Sequence, residues 1–129
     1  MKRYFPGVAA LGLGLVIGGF AMPGVRAQAT APVYYQVTEM EVTDEAAYDK
    51  SYAPLIRASV VAAGGRVLAS SNKPVGLEGD KPKTRIAVLA WDSIDKISAW
   101  RASDAFKAAR AEGDKVAKFR SYAVPGLAP

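Results

Sequence analysis

Gly64-Gly65-Arg66-Val67-Leu68-Ala69, then Leu77-Glu78-Gly79 within a polar excursion, then Arg85-Ile86-Ala87-Val88-Leu89-Ala90-Trp91: residues 64–91 decide how this chain folds. Paired glycines end a helix, because one of them takes the left-handed closing conformation at no steric cost. Apolar runs follow on either side of a segment, 75–83, rich in glycine, proline and charge. The stretch therefore reads as strand 66–71, a mobile loop, and strand 84–91, paired as a hairpin because sequential strands are the default neighbours. The second strand sets Ile86 and Val88 against Ala87, Leu89 and Trp91. It is apolar on both faces, which places it at the centre of a sheet.

Working outward, residues 33–42 are dominated by β-branched and aromatic side chains and predict another strand. Val33, Tyr35 and Val37 share one face, and Tyr34, Met40 and Val42 the other. Thr43-Asp44-Glu45 supplies a cap and first-turn acids, and Tyr48, Tyr52, Leu55/Ile56, Val60 and Ala63 recur at helical spacing, so a helix covers 44–63. Pro54 lacks an N–H and predicts a kink near Ala53 or two abutting segments. Downstream, Ser93 caps a helix whose inner face is Ile94, Ile97 and Trp100; Ser103-Asp104 restarts it, and Phe106, Ala109, Gly113 and Val116 continue the stripe. Residues 119–124 make the last strand, closed by Pro125-Gly126. The order β-α-β-β-α-β predicts an α+β, ferredoxin-like sandwich. Helices then cover one sheet face only. The second face is apolar too, and an uncovered apolar sheet implies a partner surface: a second copy packed sheet to sheet, hence a homodimer.

The N-terminus carries Lys2 and Arg3, an apolar run over 8–22 and small residues at Ala27 and Ala29. That pattern predicts an export signal over 1–29, with a single domain over 30–129 that is periplasmic or secreted after cleavage. The run of about 15 residues falls short of the roughly 20 that span a bilayer, so no membrane association is expected of the mature form; a retained anchor is the alternative. Loss of Lys2, Arg3 and Arg26 leaves 14 of the 17 basic residues against 12 acidic ones, so the pI of 9.6 belongs largely to the leader. A nucleic-acid partner loses its electrostatic basis. The chain has no cysteine. It therefore has neither a lipid-attachment site nor a disulfide, and a domain of about 100 residues must stand on core burial, which dimerisation would assist.

Tyr48 and Tyr52 four apart, Gly64-Gly65-Arg66, Leu77-Glu78-Gly79, Arg85 opening an apolar strand, Ser93 before a helix, and Ala99-Trp100 followed by Ser103 resemble the family called domain of unknown function 1330. The resemblance covers about 33–124 and implies a dimeric α/β barrel of ferredoxin-like subunits, a superfamily that includes monooxygenases and isomerases. It implies no activity. This chain departs from the pattern at Trp91-Asp92-Ser93, where Phe-Pro-Ser is expected, at Ser103-Asp104-Ala105-Phe106, where Ser-Pro-Glu-Tyr is expected, and at Ser70-Ser71-Asn72.

With no histidine and no cysteine, thiol nucleophiles, Ser-His-Asp triads and typical zinc or haem ligation are excluded. No metal or cofactor is implied. Arginine, carboxylate and tyrosine remain. Arg66 and Arg85 open neighbouring strands and can converge on an anionic or carbonyl-bearing ligand through paired hydrogen bonds; alternatively they pair with Glu78 or cap carbonyls. Glu78 is a candidate base, or else an Arg-paired structural carboxylate. Tyr48 is a candidate proton carrier and Tyr52 a ligand contact, or both are core packing. Trp100 and Phe106 read as core, and Lys73, Lys81 and Lys83 as a solvated rim. The expected function is binding of a small organic ligand in a pocket, with cofactor-independent acid-base chemistry as its extension. The alternative is a structural or protein-interaction module.

Overall fold

The computed structural model describes residues 33–128, so the export-signal reading of 1–29 lies outside the described residues. Four strands, β1 (Tyr34–Val42), β2 (Arg66–Ser71), β3 (Arg85–Trp91) and β4 (Ala117–Pro125), form one sheet in the order β2-β3-β1-β4. Every neighbouring pair is antiparallel. Helix α1 (residues 45–62) follows β1, and α2 (Ile94–Ala102) and α3 (Asp104–Gly113) follow β3. This is the ferredoxin-like α+β arrangement.

Helix starts are fixed by side-chain caps that satisfy otherwise orphaned amides. Asp44 Oδ1 accepts from Ala47 N at 3.0 Å, Ser93 Oγ from Lys96 N at 3.2 Å, and Ser103 Oγ from Phe106 N at 3.2 Å. Helix α1 has three stretches: one α-turn (Glu45–Ala47), a π-helical segment (Tyr48–Tyr52) and a longer α-helix (Ala53–Ala62). The expected irregularity beside Pro54 thus takes the form of a widened turn, in which the Ala53 N–H bonds back to Tyr48 O. Pro54 then falls in the first turn of the next stretch, where a missing N–H costs little. The widened turn buries both Tyr48 and Tyr52, with ring centroids 5.1 Å apart. At the other end Gly64 adopts φ +92°, and a Cβ on Gly65 would meet the Trp91 indole at 2.8 Å. The paired glycines close α1 and let the backbone lie directly on Trp91.

Register assigns the two faces. Tyr34, Gln36, Thr38 and Met40 of β1 lie opposite Trp91, Leu89, Ala87 and Arg85 of β3, beneath the helices. On the open face Tyr35, Val37 and Glu39 lie beside Ala90, Val88 and Ile86, and beside Val124, Tyr122 and Arg120 of β4. The helix-side core has two parts: Val60, Leu89, Trp91, Ile97, Trp100 and Phe106 in one, and Met40, Tyr48, Tyr52, Ala109 and Ala117 in the other. Buried polar residues of the central strand run along the same face: Gln36 Oε1 accepts from Trp91 Nε1 at 2.9 Å, Gln36 Nε2 donates to Thr38 Oγ1 at 3.1 Å, and Thr38 Oγ1 lies 2.9 Å from Ser121 Oγ. Buried polar atoms persist in a core when they are bonded in this way.

Candidate functional site

A cavity of about 60 Å³ lies between the helices and the sheet. Gln36, Thr38 and Met40 line it from β1, Arg85, Ala87 and Leu89 from β3, Tyr48, Tyr52 and Ile56 from α1, and Arg110 from α3. Val67 and Ser70 of the edge strand β2 and Arg57 of α1 are exposed lining residues and mark its mouth. Three arginines and no carboxylate line the space.

The two inner arginines differ. Arg85 bonds Glu45 at 3.0 Å and Asp49 at 3.2 Å while its guanidinium lies 4.4 Å from the Tyr48 ring centroid. Acids of the first turns of α1 therefore neutralise it. Arg110 lies 3.9 Å from the Phe119 ring centroid and 5.0 Å from that of Phe106, and forms no ion pair among the described residues. The Nε of each is buried without an acceptor.

Tyr48 Oη donates to Met40 Sδ at 3.0 Å, a weak acceptor that leaves the hydroxyl free to take a better one. Burial raises the Tyr48 pKa, with the Arg85 charge opposing. Tyr52 is pushed up to about 12, again by burial, against the Arg110 charge beside it. Both phenols are hydrogen-bond donors at neutral pH. Because the folded Tyr52 holds its proton more tightly than the unfolded chain does, its contribution to stability is complete below pH 10 and is lost as pH rises toward 12. Ultraviolet titration of phenolate should show the Tyr52 phenol still protonated at pH 11, a signal lost in Tyr52→Phe, and stability should fall by about 2 kcal/mol between pH 10 and 12. Coincident ionisation of all the tyrosines near pH 10 would refute the burial argument.

The structure brings Tyr48, Tyr52 and Arg85 to one cavity and leaves Arg66 and Glu78 out of it. Two residues that each open one strand of an antiparallel hairpin sit at its opposite ends. Arg66 pairs with Ala90, five residues along β3 from Arg85, or about 17 Å at strand rise. It bonds Asp92 at 3.3 Å with half its side chain in solvent. The expected convergence of the two arginines is thereby corrected. Neither arginine pairs with Glu78, which is exposed on the loop and lines a separate outer cleft with Glu45, Lys73, Lys81 and Lys83. Glu78 thus does not line the cavity it was expected to serve as a base. Sequence reasoning missed Gln36, Thr38, Ser70 and Arg110. Gln36 and Thr38 carried a signal, being polar at the strand positions that alternate with Tyr35 and Val37 and so belong to the covered face. Arg110 carried none, because it flanks the apolar stripe of its helix.

The sheet order and the helices on one face, with the cavity between them, define the ferredoxin-like fold of the dimeric α/β barrels. Within that class, the chain belongs to the family Domain of unknown function (DUF1330), which matches residues 33–127. Solved structures share the fold. A protein of unknown function from Rhodopseudomonas palustris superposes with TM-score 0.58 at 13% identity, over 85% of this chain and 94% of its own. SnoaB, a cofactor-independent oxygenase from Streptomyces nogalater, gives 0.57 at 14% identity over 75% and 95%. HapK from Hahella chejuensis gives 0.57 at 12% identity over 74% and 94%. At these identities the likeness is one of fold. No curated protein matches the chain.

Proposed function

We propose that this protein binds a small organic ligand in the cavity between α1, α3 and the sheet. The observation that carries this reading is that Tyr48, Arg85 and Arg110 line one space in which the Tyr48 hydroxyl is bonded to a thioether sulfur, the Nε of each arginine is buried without an acceptor, and Arg110 has no ion pair among the described residues. Buried donors in that state cost stability unless something else accepts from them. Binding is favoured over acid-base catalysis, because the lining contains no carboxylate and burial keeps both phenols protonated. Ala87→Leu should leave the fold intact, fill the cavity and abolish the rise in melting temperature that a bound small molecule gives the wild type. Equal ligand-induced shifts in both proteins would move the site elsewhere.

The working form is proposed to be a homodimer that buries the open sheet face. Tyr35, Tyr122 and Val124 are 40%, 44% and 52% exposed there, beside Val37, Ile86 and Val88. Sedimentation should give a dimer, and Val88→Glu a monomer, since a charge at the centre of a covered apolar face is left unpaired. A wild-type monomer at micromolar concentration would contradict this. Residues 1–29 are proposed to direct export and to be removed, so the isolated protein should begin at or just after residue 28; an intact Met1 would count against it. The structural-module reading draws support from the Arg66–Asp92 and Arg85–Glu45/Asp49 pairs, which hold strand ends to their neighbours. It accounts for Arg110 only through its stacking on Phe119 and Phe106, and supplies no partner for its charge.

A further inference from the structure

We infer that the ligand is a small organic monocarboxylate and that Arg110 is the residue that holds its charge. The inference rests on the cavity reading and goes further by naming the chemical class and the anchor.

Arginine stays charged under all ordinary conditions. Inside the cavity wall, Arg85 has its counter-ions built in, Glu45 and Asp49, whereas Arg110 has none among the described residues. One uncompensated inner cation calls for one negative charge. The geometry narrows the group further. With Phe119 3.9 Å from its centre, one face of the Arg110 guanidinium is occupied, and its N–H bonds leave in the plane around its edge. Its Nε is buried and unbonded. The two terminal nitrogens of the guanidinium present a two-pronged edge of N–H groups, and such an edge matches the two oxygens of a carboxylate. Tyr52, beside it, and Tyr48, whose hydroxyl donates to a thioether sulfur, line the same cavity. Ile56, Val60, Leu89 and Trp100 supply apolar lining to the same cavity. That wall suits a hydrocarbon portion and disfavours a fully hydrated inorganic anion.

The test uses the mature chain, with benzoate, its neutral isostere benzamide, and inorganic phosphate as probes, followed by calorimetry. Benzoate should bind about tenfold or more tightly than benzamide, and phosphate weakly or not at all. Arg110→Gln should erase the preference for benzoate while benzamide binding is retained. Arg110→Lys keeps the charge but loses the fork and should fall between them, which separates anchoring from a general effect on folding. Circular dichroism of each variant confirms the fold. Equal affinity for benzoate and benzamide, tighter binding of phosphate than of benzoate, or wild-type benzoate affinity in Arg110→Gln would overturn the inference while leaving the cavity reading in place. Failure of benzoate and benzamide alike to bind at millimolar concentration, with Ala87→Leu indistinguishable from the wild type, would overturn the cavity reading itself.

Discussion

Trp91→Ala is expected to lower stability by about 3–5 kcal/mol, a large share of what a domain of this size possesses. The indole is wholly buried at the end of β3 and packs on Trp100, with centroids 5.0 Å apart. Its Nε1 donates to Gln36 Oε1, and Gly65 lies against its ring. Truncation would therefore open a void under the closing turn of α1 and strip Gln36, in the middle of the central strand, of its donor. Trp91→Phe refills much of the void without restoring the hydrogen bond, so it should lose about 1–3 kcal/mol. Urea denaturation measures both. A loss under about 1 kcal/mol for the alanine variant would mean that the core is not organised around this side chain.

Gly113→Ala should destabilise the protein and impair ligand binding together, although helix propensity alone favours alanine by roughly 1 kcal/mol. A Cβ at this position would lie 2.7 Å from Tyr52 Cδ1 and Cε1 and 2.9 Å from Phe119 Cζ. Both neighbours are ring carbons in a packed cluster. Overpacking of this kind costs about 1–3 kcal/mol, which outweighs the propensity gain. Tyr52 lines the cavity and Phe119 stacks on Arg110, so a shift of either ring disturbs the site. Thermal unfolding and a binding titration on the same sample test the pair of effects. A stabilised variant with unchanged binding would show that α3 tolerates the methyl and that Tyr52 is not held by contact with it.

Most of the fold was legible because it rests on local patterns. Strand alternation in 33–42 and 84–91, the helical stripes ending at Gly64-Gly65 and the serine caps at Ser93 and Ser103 each act over a few residues, and their sum leaves one topology. The site was legible only in part, because it depends on which ends of elements meet. Tyr48 and Tyr52 were visible as an i,i+4 pair, but the π-helical turn that buries both, ending two residues before Pro54, was not. Arg66 and Arg85 looked equivalent as strand openers until antiparallel pairing set them at opposite ends of the hairpin. Glu78 drew notice as a lone acid among apolar and glycine neighbours, yet the loop holds it in solvent. Arg110, the inner cation without an acid, is one charge among several on α3, and its contacts with Phe119 and Phe106 set it apart.

Native mass spectrometry of the protein isolated from the cells that make it, wild type beside Arg110→Gln, tests the central claim most directly. The account predicts a wild-type protein carrying the mass of a small organic acid, lost from the variant. A wild type with no bound molecule, or a neutral molecule held equally by both, would contradict it.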